Sequence, residues 1–568
     1  MAMATPPAPS EWRGTSDHNV TETAFDAVKC KLSTAAIICV TWRSLAAWSS
    51  SWRNVRVLLK GILVRASLRA LLTICCLADA KTATSRVNIV SLGAGFDTLF
   101  FRLLQQQQTG NIVYTEVDCA AIVDAKASLL SAPETRQRLF PSHPDDVSVA
   151  ASSTEVAWQC RVSSATYSLL ECDLGDVRRL DELLTAAGVD KTLPTLILAE
   201  CVVSYLAPEK GTELLQWLAE AFPCGSIALY DPIGLQANSS GEEEDVATAG
   251  KKEADAFGAT LQRYFAVKGC TLRGARGFRT AADHARRLLA LGRWRRCRIL
   301  DMNGVFAACT SIDERKRLAT LEPFDEFADW ALCNAHYALY LADNGSDSDV
   351  GSAQWMTRFV PRGQQRHLLL TASALPRRHD ETASSPVAIV RSFQHEDLEA
   401  VRSLFESSHL EFAQGSRAVR QFVVNRLRNP TGDMADVAQS FQPQRCGPES
   451  SGFWVAEVAG QVVGCVGLKP LAVATDRSVA ELCRLSVAPA FRRRGLASVL
   501  VGTAESLAAS CGMYGAIRLE TIGAMEGAQQ LYRSLGYQQQ EAEGEQGSSS
   551  RSFTLVRFQK TLKVAHLL

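Results

Sequence analysis

Two glycines at the end of a strand-like run are the first residues here that could do chemistry. "RVNIVSLGAGFDTLFFRLL", residues 86–104, turns at Gly93-Ala94-Gly95 and passes through an acid into an apolar stretch. Such a pair lets backbone approach a nucleotide-type cofactor, although tight turns use the same residues. Thr98 stands where a dinucleotide fingerprint has its third glycine. Three carboxylates follow at the ends of later strands. Asp118 closes "VYTEVD", where it could accept hydrogen bonds from two ribose hydroxyls. In "LECDLGD", Asp173 could meet an adenine amino group and Leu174 could cover the ring, and Glu200 stands at the tip of "LILAECV". Three carboxylates around one loop suit a cationic cofactor, S-adenosylmethionine, and not a pyrophosphate.

A second loop has different chemistry. In "LCRLSVAPAFRRRGLASVLVG" the run Arg492, Arg493, Arg494 lies between an apolar strand and an apolar helix, beside Gly495, Leu496 and Ala497. Three arginines could be a nucleic-acid patch. The pattern Arg492-x-x-Gly495-x-Ala497 instead matches a loop feeding a helix N-terminus, where N–H groups and the helix dipole bind phosphates and small residues admit them.

Holding two such loops takes two domains, and 568 residues exceed one ordinary core. The strand-like runs "VNIVSLG", "NIVYTEVD", "YSLLECDLGD", "TLILAECVVSYL" and "SIALYDPI" alternate with amphipathic stretches such as "KGTELLQWLAEAF". That alternation argues for a doubly wound parallel sheet wrapped by helices, an α/β domain over residues 22–345. Residues 1–21 are Pro- and Ser-rich and read as disordered. "QANSSGEEEDVATAGKKEADA" reads as a charged surface loop, and 346–386 as a linker with a short strand at "HLLLTA". A smaller α+β domain fills 387–568.

Composition narrows the class. With 60 basic and 60 acidic side chains the formal charge is zero, which gives no electrostatic case for nucleic acid or an anionic membrane. The 17 cysteines are odd in number and scattered, without CxxC pairs or zinc-site spacing, as expected of buried thiols in a reducing compartment. The apolar runs fall short of the ~20 residues of a membrane span, and the N-terminus reads as neither signal nor transit peptide. No metal site is expected, and the expected location is cytoplasmic, with the nucleus as a second compartment.

The residues also carry a resemblance. "VNIVSLGAGFDTLFFRL", "TEVDCAAIVDAKASLL", "LPTLILAECVVSYLAPEKGTELLQWLAEAF", "FGATLQRYFAVKGCTLRG", "ARRLLALGRW" with "ILDMNGVF", and "LEPFDEFADWALCNAHYALYLA" resemble the leucine carboxyl methyltransferases over residues 22–342. That family has the class I S-adenosylmethionine-dependent fold and esterifies the C-terminal leucine carboxylate of the protein phosphatase 2A catalytic subunit. The resemblance implies that Gly93 and Gly95 contact the cofactor, Asp118 its ribose, Asp173 and Leu174 the adenine side, and Glu200 the methionine end. "DAVKCK" and "KGILVRASLRALL" resemble the family's lysine motif and arginine helix, which points to Lys31 and Arg65 as cations that hold carboxylates; the alternative is a pair of solvated helix charges. The chain departs from the family's aromatic pattern after the lysine, with "STAAIICVTW" in its place. A C-terminal carboxylate is already ionised near neutral pH, so methyl transfer needs alignment and cations but no general base. His336 in "NAHYAL" accordingly reads as a packed core histidine.

Residues 387–560 resemble the Gcn5-related N-acetyltransferases: "FWVAEVAGQVVGCVGLKPL" is like the central hairpin, "ELCRLSVAPAFRRRGLA" the acetyl-CoA signature and "LYRSLGY" the terminal motif. The resemblance implies that Leu485 to Val487 run along the pantetheine arm, that Arg493 to Ala497 cradle the pyrophosphate, and that Tyr532 protonates the leaving thiolate. Glu481 and Glu520 are either bases for an incoming amine or strand charges. The expectation is a bifunctional transferase using S-adenosylmethionine and acetyl-CoA, with a phosphatase tail as methyl acceptor and an unidentified amine as acetyl acceptor. Other readings stay open: a small-molecule or tRNA-nucleoside carboxylate as methyl acceptor, an acetyltransferase alone, or a first domain that only holds cofactor.

Overall fold

The computed structural model describes residues 86–105, 111–140, 147–149, 160–234, 256–267, 271–278, 280–309, 327–344, 369–375, 386–413, 416–430, 432–441, 451–471, 479–510, 514–540 and 554–562. Residues 1–21, Lys31, Arg65 and the charged loop at 235–255 lie outside the described residues. The chain divides into two compact units, Met1–Met356 and Thr357–Leu568.

The first unit contains β1 (Val87–Leu92), β2 (Ile112–Asp118), β3 (Ser148–Val149), β4 (Cys160–Ser163), β5 (Tyr167–Glu171), β6 (Thr195–Glu200), β7 (Gly225–Pro232), β8 (Arg296–Asp301) and β9 (Tyr337–Asp343). Its centre is parallel, in the order β5-β2-β1-β6-β7. All six residues of β1 and all eight of β7 are buried, as both faces of a covered parallel sheet require. The edges depart from the all-parallel expectation. β4 pairs antiparallel with β5 across a three-residue connection too short for a crossover, and β9 runs antiparallel to both β7 and β8. β2 lies on one side of β1 and β6 on the other, so the loops leaving β1 and β6 part at their carboxyl ends and open a crevice there. Helices α1 (Leu99–Gln105), α2 (Ala120–Ser131), α3 (Val177–Ala186) and α4 (Pro208–Ala221) follow β1, β2, β5 and β6. The core beside β2 is aromatic: Phe100 stacks on Tyr167 at 4.6 Å and Tyr114 packs against both.

The second unit contains β10 (Leu369–Ala374), β11 (Val387–Ser392), α5 (Leu398–Leu410), α6 (Arg417–Arg428), β12 (Gly452–Val458), β13 (Gln461–Pro470), β14 (Val479–Val487), α7 (Leu496–Ser510), β15 (Ala516–Ile522), α8 (Glu526–Ser534), β16 (Gln538–Gln540) and β17 (Leu555–Thr561). β10 pairs antiparallel with β11, so the segment read as linker contributes a strand to this unit. β11 to β14 form an antiparallel meander, and alternation along β12 divides the core. Trp454 and Ala456 pack with α7, whereas Phe453 and Val455 pack with α5 and α6. β14 and β15 are parallel for only three pairs, ending at Glu481 and Arg518, and then separate. Among the described residues no helix is long and apolar enough to cross a membrane.

Candidate functional site

Register places the first set of predicted residues together. Leu92 lies opposite both Val117 and Ala199, so the Gly93–Gly95 turn leaves β1 between Asp118 and Glu200, the last residues of β2 and β6. Asp118 lies opposite Glu171 at the end of β5, and Asp173 and Leu174 follow it. Both glycines need the left-handed region, with φ +60 at Gly93 and +54 at Gly95. A Cβ on Gly93 would stand 2.3 Å from Val202 Cγ2, so the glycine is required by close packing under the turn after β6.

Asp118 is built into this turn. Its Oδ2 accepts the Gly95 N–H at 2.6 Å and its Oδ1 the Cys119 N–H at 2.7 Å. Burial pushes its carboxyl up, while these N–H groups pull it back. Each oxygen has a further lone pair, which is what a ribose diol would need. Asp173 is exposed and accepts the Gly175 N–H at 2.8 Å, Leu174 is buried, and Glu200 is half-buried. Asp97 Oδ1 accepts the N–H groups of Thr98 and Leu99 at the start of α1.

Sequence reasoning missed the support beneath the loop. Lys126 of α2 donates to Glu116 Oε2 and to the carbonyls of Gly95 at 3.3 Å and Asp97 at 2.9 Å. The Tyr167 hydroxyl donates to the same Glu116 oxygen at 2.8 Å, and both members of the ion pair are buried. Glu116 shares a strand face with Tyr114 and Asp118, and an acid at an inward position was the available signal.

A partly open cavity of about 20 Å³, enough for one water, lies behind the turn after β6, lined by apolar residues and a group of polar ones. Ser204 Oγ donates to Asp231 Oδ1 at 2.7 Å, and His284, Arg287 and Tyr340 complete its polar lining. Burial pushes Asp231 up to about 6 and His284 down to about 3. His336 is buried, with Nδ1 2.7 Å from the Leu332 carbonyl and its ring 4.5 Å from that of Phe257, as a core histidine would be.

In the second unit the arginine loop connects β14 to α7. Arg493 has φ +64 and Gly495 φ +80, and a Cβ on Gly495 would meet nothing within 4 Å. The three arginines differ in kind. Arg492 bonds Glu411 at 2.7 Å and the Val487 carbonyl at 3.0 Å, Arg494 is buried with its guanidinium 5.7 Å from the Phe491 ring centre, and Arg493 is exposed. The side chain of Arg492 is thus engaged within the fold, and the open features of the loop are Gly495 and the α7 N-terminus. Leu496 is buried, while Leu485 and Ala497 are partly buried against the α7 core and Val487 lies within it. Tyr532 is buried between Tyr537 and Phe558, with ring centres 5.8 Å from each. Burial, helped by the Cys483 thiol, pushes its hydroxyl well up, so it is protonated at neutral pH. Glu481 lies 3.9 Å from Lys469, and Glu520 is bridged to Arg557 at 2.8 Å.

A parallel sheet with its glycine turn and carboxylates at one crevice is the class I S-adenosylmethionine-dependent methyltransferase fold, and the splayed sheet with its arginine-glycine loop is the GNAT fold. The family model for leucine carboxyl methyltransferase matches residues 38–219, and that for the acetyltransferase (GNAT) family matches residues 422–537. The chain is 30% identical over 262 residues to the leucine carboxyl methyltransferase 1 homolog of Arabidopsis thaliana, 46% of this chain and 70% of that protein. The chain belongs to the leucine carboxyl methyltransferase family, with a GNAT domain fused to it. It is also similar to tRNA wybutosine-synthesizing protein 4: 33% identical over 282 residues to that of Rattus norvegicus and 34% over 266 residues to that of Homo sapiens. Those alignments cover 50% and 47% of this chain but only 37% and 35% of the relatives' own lengths. Two relatives named for tRNA mean that the zero net charge does not exclude nucleic acid as a partner.

Proposed function

We propose that the first unit binds S-adenosylmethionine in the crevice between β1 and β6 and transfers its methyl group to a C-terminal leucine carboxylate of the protein phosphatase 2A catalytic subunit type. The observation that carries cofactor binding is the joined turn: Asp118 accepts the Gly95 N–H while facing the same crevice as Glu200. In this reading Gly93 and Gly95 admit the cofactor, Asp118 holds the ribose, Asp173 and Leu174 flank the adenine, and Glu200 faces the methionine end. Lys31 and Arg65 are proposed to hold carboxylates. The bound cofactor supplies an electrophilic methyl on a sulfonium, and the protein orients an ionised carboxylate that needs no base.

A second acceptor class, a carboxylate on a tRNA nucleoside, is favoured by one observation, the 33–34% identity to the wybutosine-synthesizing proteins. Supplying methyl-labelled S-adenosylmethionine with both a phosphatase catalytic subunit and total tRNA separates the two. Label in protein supports the leucine reading, and label in RNA replaces it.

The second unit is proposed to acetylate an amine with acetyl-CoA. The pantetheine arm lies in the opening between β14 and β15 along Leu485 to Val487, and the pyrophosphate lies at the Arg493–Ala497 loop. Glu481 serves as base and Tyr532 as acid. Glu520, held by Arg557, is not assigned a role.

A further inference from the structure

Asp433 follows α6 and shares its carboxylate between two cations. Arg484 meets it side-on along one edge of its guanidinium, Nε to Oδ1 and Nη2 to Oδ2, each at 3.0 Å, and Lys469 donates to Oδ2 at 2.7 Å. Asp433 and Arg484 are each only 9% exposed. Burial works to raise the Asp433 carboxyl, yet the two cations hold it below its ordinary value. The pair is therefore fixed as charged, in bidentate geometry.

What the clamp holds is unusual. Arg484 has φ +58, a left-handed conformation that an L-residue adopts only against steric resistance. It sits in a bulge: Cys483 faces Gly467 and Ser486 faces Cys465, so Arg484 and Leu485 together oppose Val466 alone. The Cys465 thiol donates to the Arg484 carbonyl at 3.3 Å. The bulge begins three residues past Glu481, the last residue of β14 paired with β15. The strained backbone thus borders the opening assigned above to the thioester arm.

We propose that Asp433 is a positioning residue for acetyl transfer: by clamping Arg484 it holds the β14 bulge that sets the backbone beside the thioester of acetyl-CoA. The proposal rests on the acetyltransferase reading of this unit. The clamp serves the acetyl end of the cofactor, not the pyrophosphate end, because the Arg493–Ala497 loop follows β14 beyond Val487.

The experiment is calorimetric titration of the full chain with acetyl-CoA and, separately, with CoA. Asp433→Ala should weaken acetyl-CoA binding roughly three- to tenfold, the scale of losing one hydrogen bond, and change CoA binding less than twofold. Adding Arg484→Gly to Asp433→Ala should restore acetyl-CoA binding to within twofold of the parent, since glycine adopts positive φ without a clamp. If Asp433→Ala does not fold, Asp433→Asn, which keeps an acceptor for Nε but loses the charge, takes its place. Equal weakening of both ligands, or a double variant no better than the single one, would overturn the proposal. A parent that binds neither ligand would overturn the acetyltransferase reading itself and the clamp with it.

Discussion

The Gly95 N–H donates to Asp118 Oδ2 at 2.6 Å, which makes the turn ending β1 and the carboxylate ending β2 a single unit. Asp118→Asn leaves one carbonyl oxygen for two N–H groups and turns an amide toward the other. The expected result is a loss of S-adenosylmethionine affinity of about 10- to 100-fold, the range for hydrogen bonds to a charged group. Calorimetry would check it, and unchanged affinity would remove Asp118 from the cofactor site.

Lys126 supports the same turn from below through the carbonyls of Gly95 and Asp97. Lys126→Met leaves Glu116 buried, where burial already pushes its carboxyl up, so a stability loss of about 3–5 kcal/mol is expected. Adding Glu116→Gln should recover much of that stability but not the cofactor affinity, because the carbonyls remain unsupported. Thermal melts with and without S-adenosylmethionine separate the two effects.

The difference between Asp118 and Lys126 shows what the sequence could and could not reveal. Asp118 ends a strand, where chain order alone points it to a crevice, and the same holds for Gly93, Gly95 and Glu200. Lys126 lies mid-helix among apolar residues, and nothing in its spacing says that it turns inward beneath the loop. The five parallel strands were legible because burial on both faces writes a continuous apolar run. The antiparallel β9 also reads as an apolar run, so its direction was not legible. The positive φ of Arg484 was not legible, since an arginine within the strand-like run "LCRLSV" carries no local mark of it. Arg492 was grouped with its neighbours, but its side chain is held by Glu411, a residue 81 positions away.

Asp231 and His284 should give this protein opposed pH responses. Burial holds the Asp231 proton up to about 6, against an ordinary value of 3.8, so this group's contribution to stability falls as pH rises through that window. His284 does the reverse. Its value falls from 6.5 to about 3, so the unfolded chain takes up a proton that the folded state refuses, and stability is lost as pH falls. Asp231→Asn should therefore steepen the fall of Tm between pH 6.5 and 4.5, whereas His284→Gln should flatten or reverse it. Identical slopes in both variants would show that neither group titrates as described.

Tyr532→Phe keeps the packing against Tyr537 and Phe558 and removes only the hydroxyl. Acetyl-CoA should still bind, while acetyl transfer to a panel of amines falls by about 10²- to 10⁴-fold, the scale of one acid-base group. Transfer as fast as the parent's would end the acid role.

Ester formation on a leucine carboxylate leaves a chemical signature that a single assay can read. The full chain is incubated with methyl-labelled S-adenosylmethionine and a protein phosphatase 2A catalytic subunit, intact or lacking its terminal leucine, and the product is exposed to mild alkali. Label is expected on the intact subunit alone, released as methanol by the alkali. Label that survives alkali, or transfer undiminished after the leucine is removed, would contradict leucine ester formation.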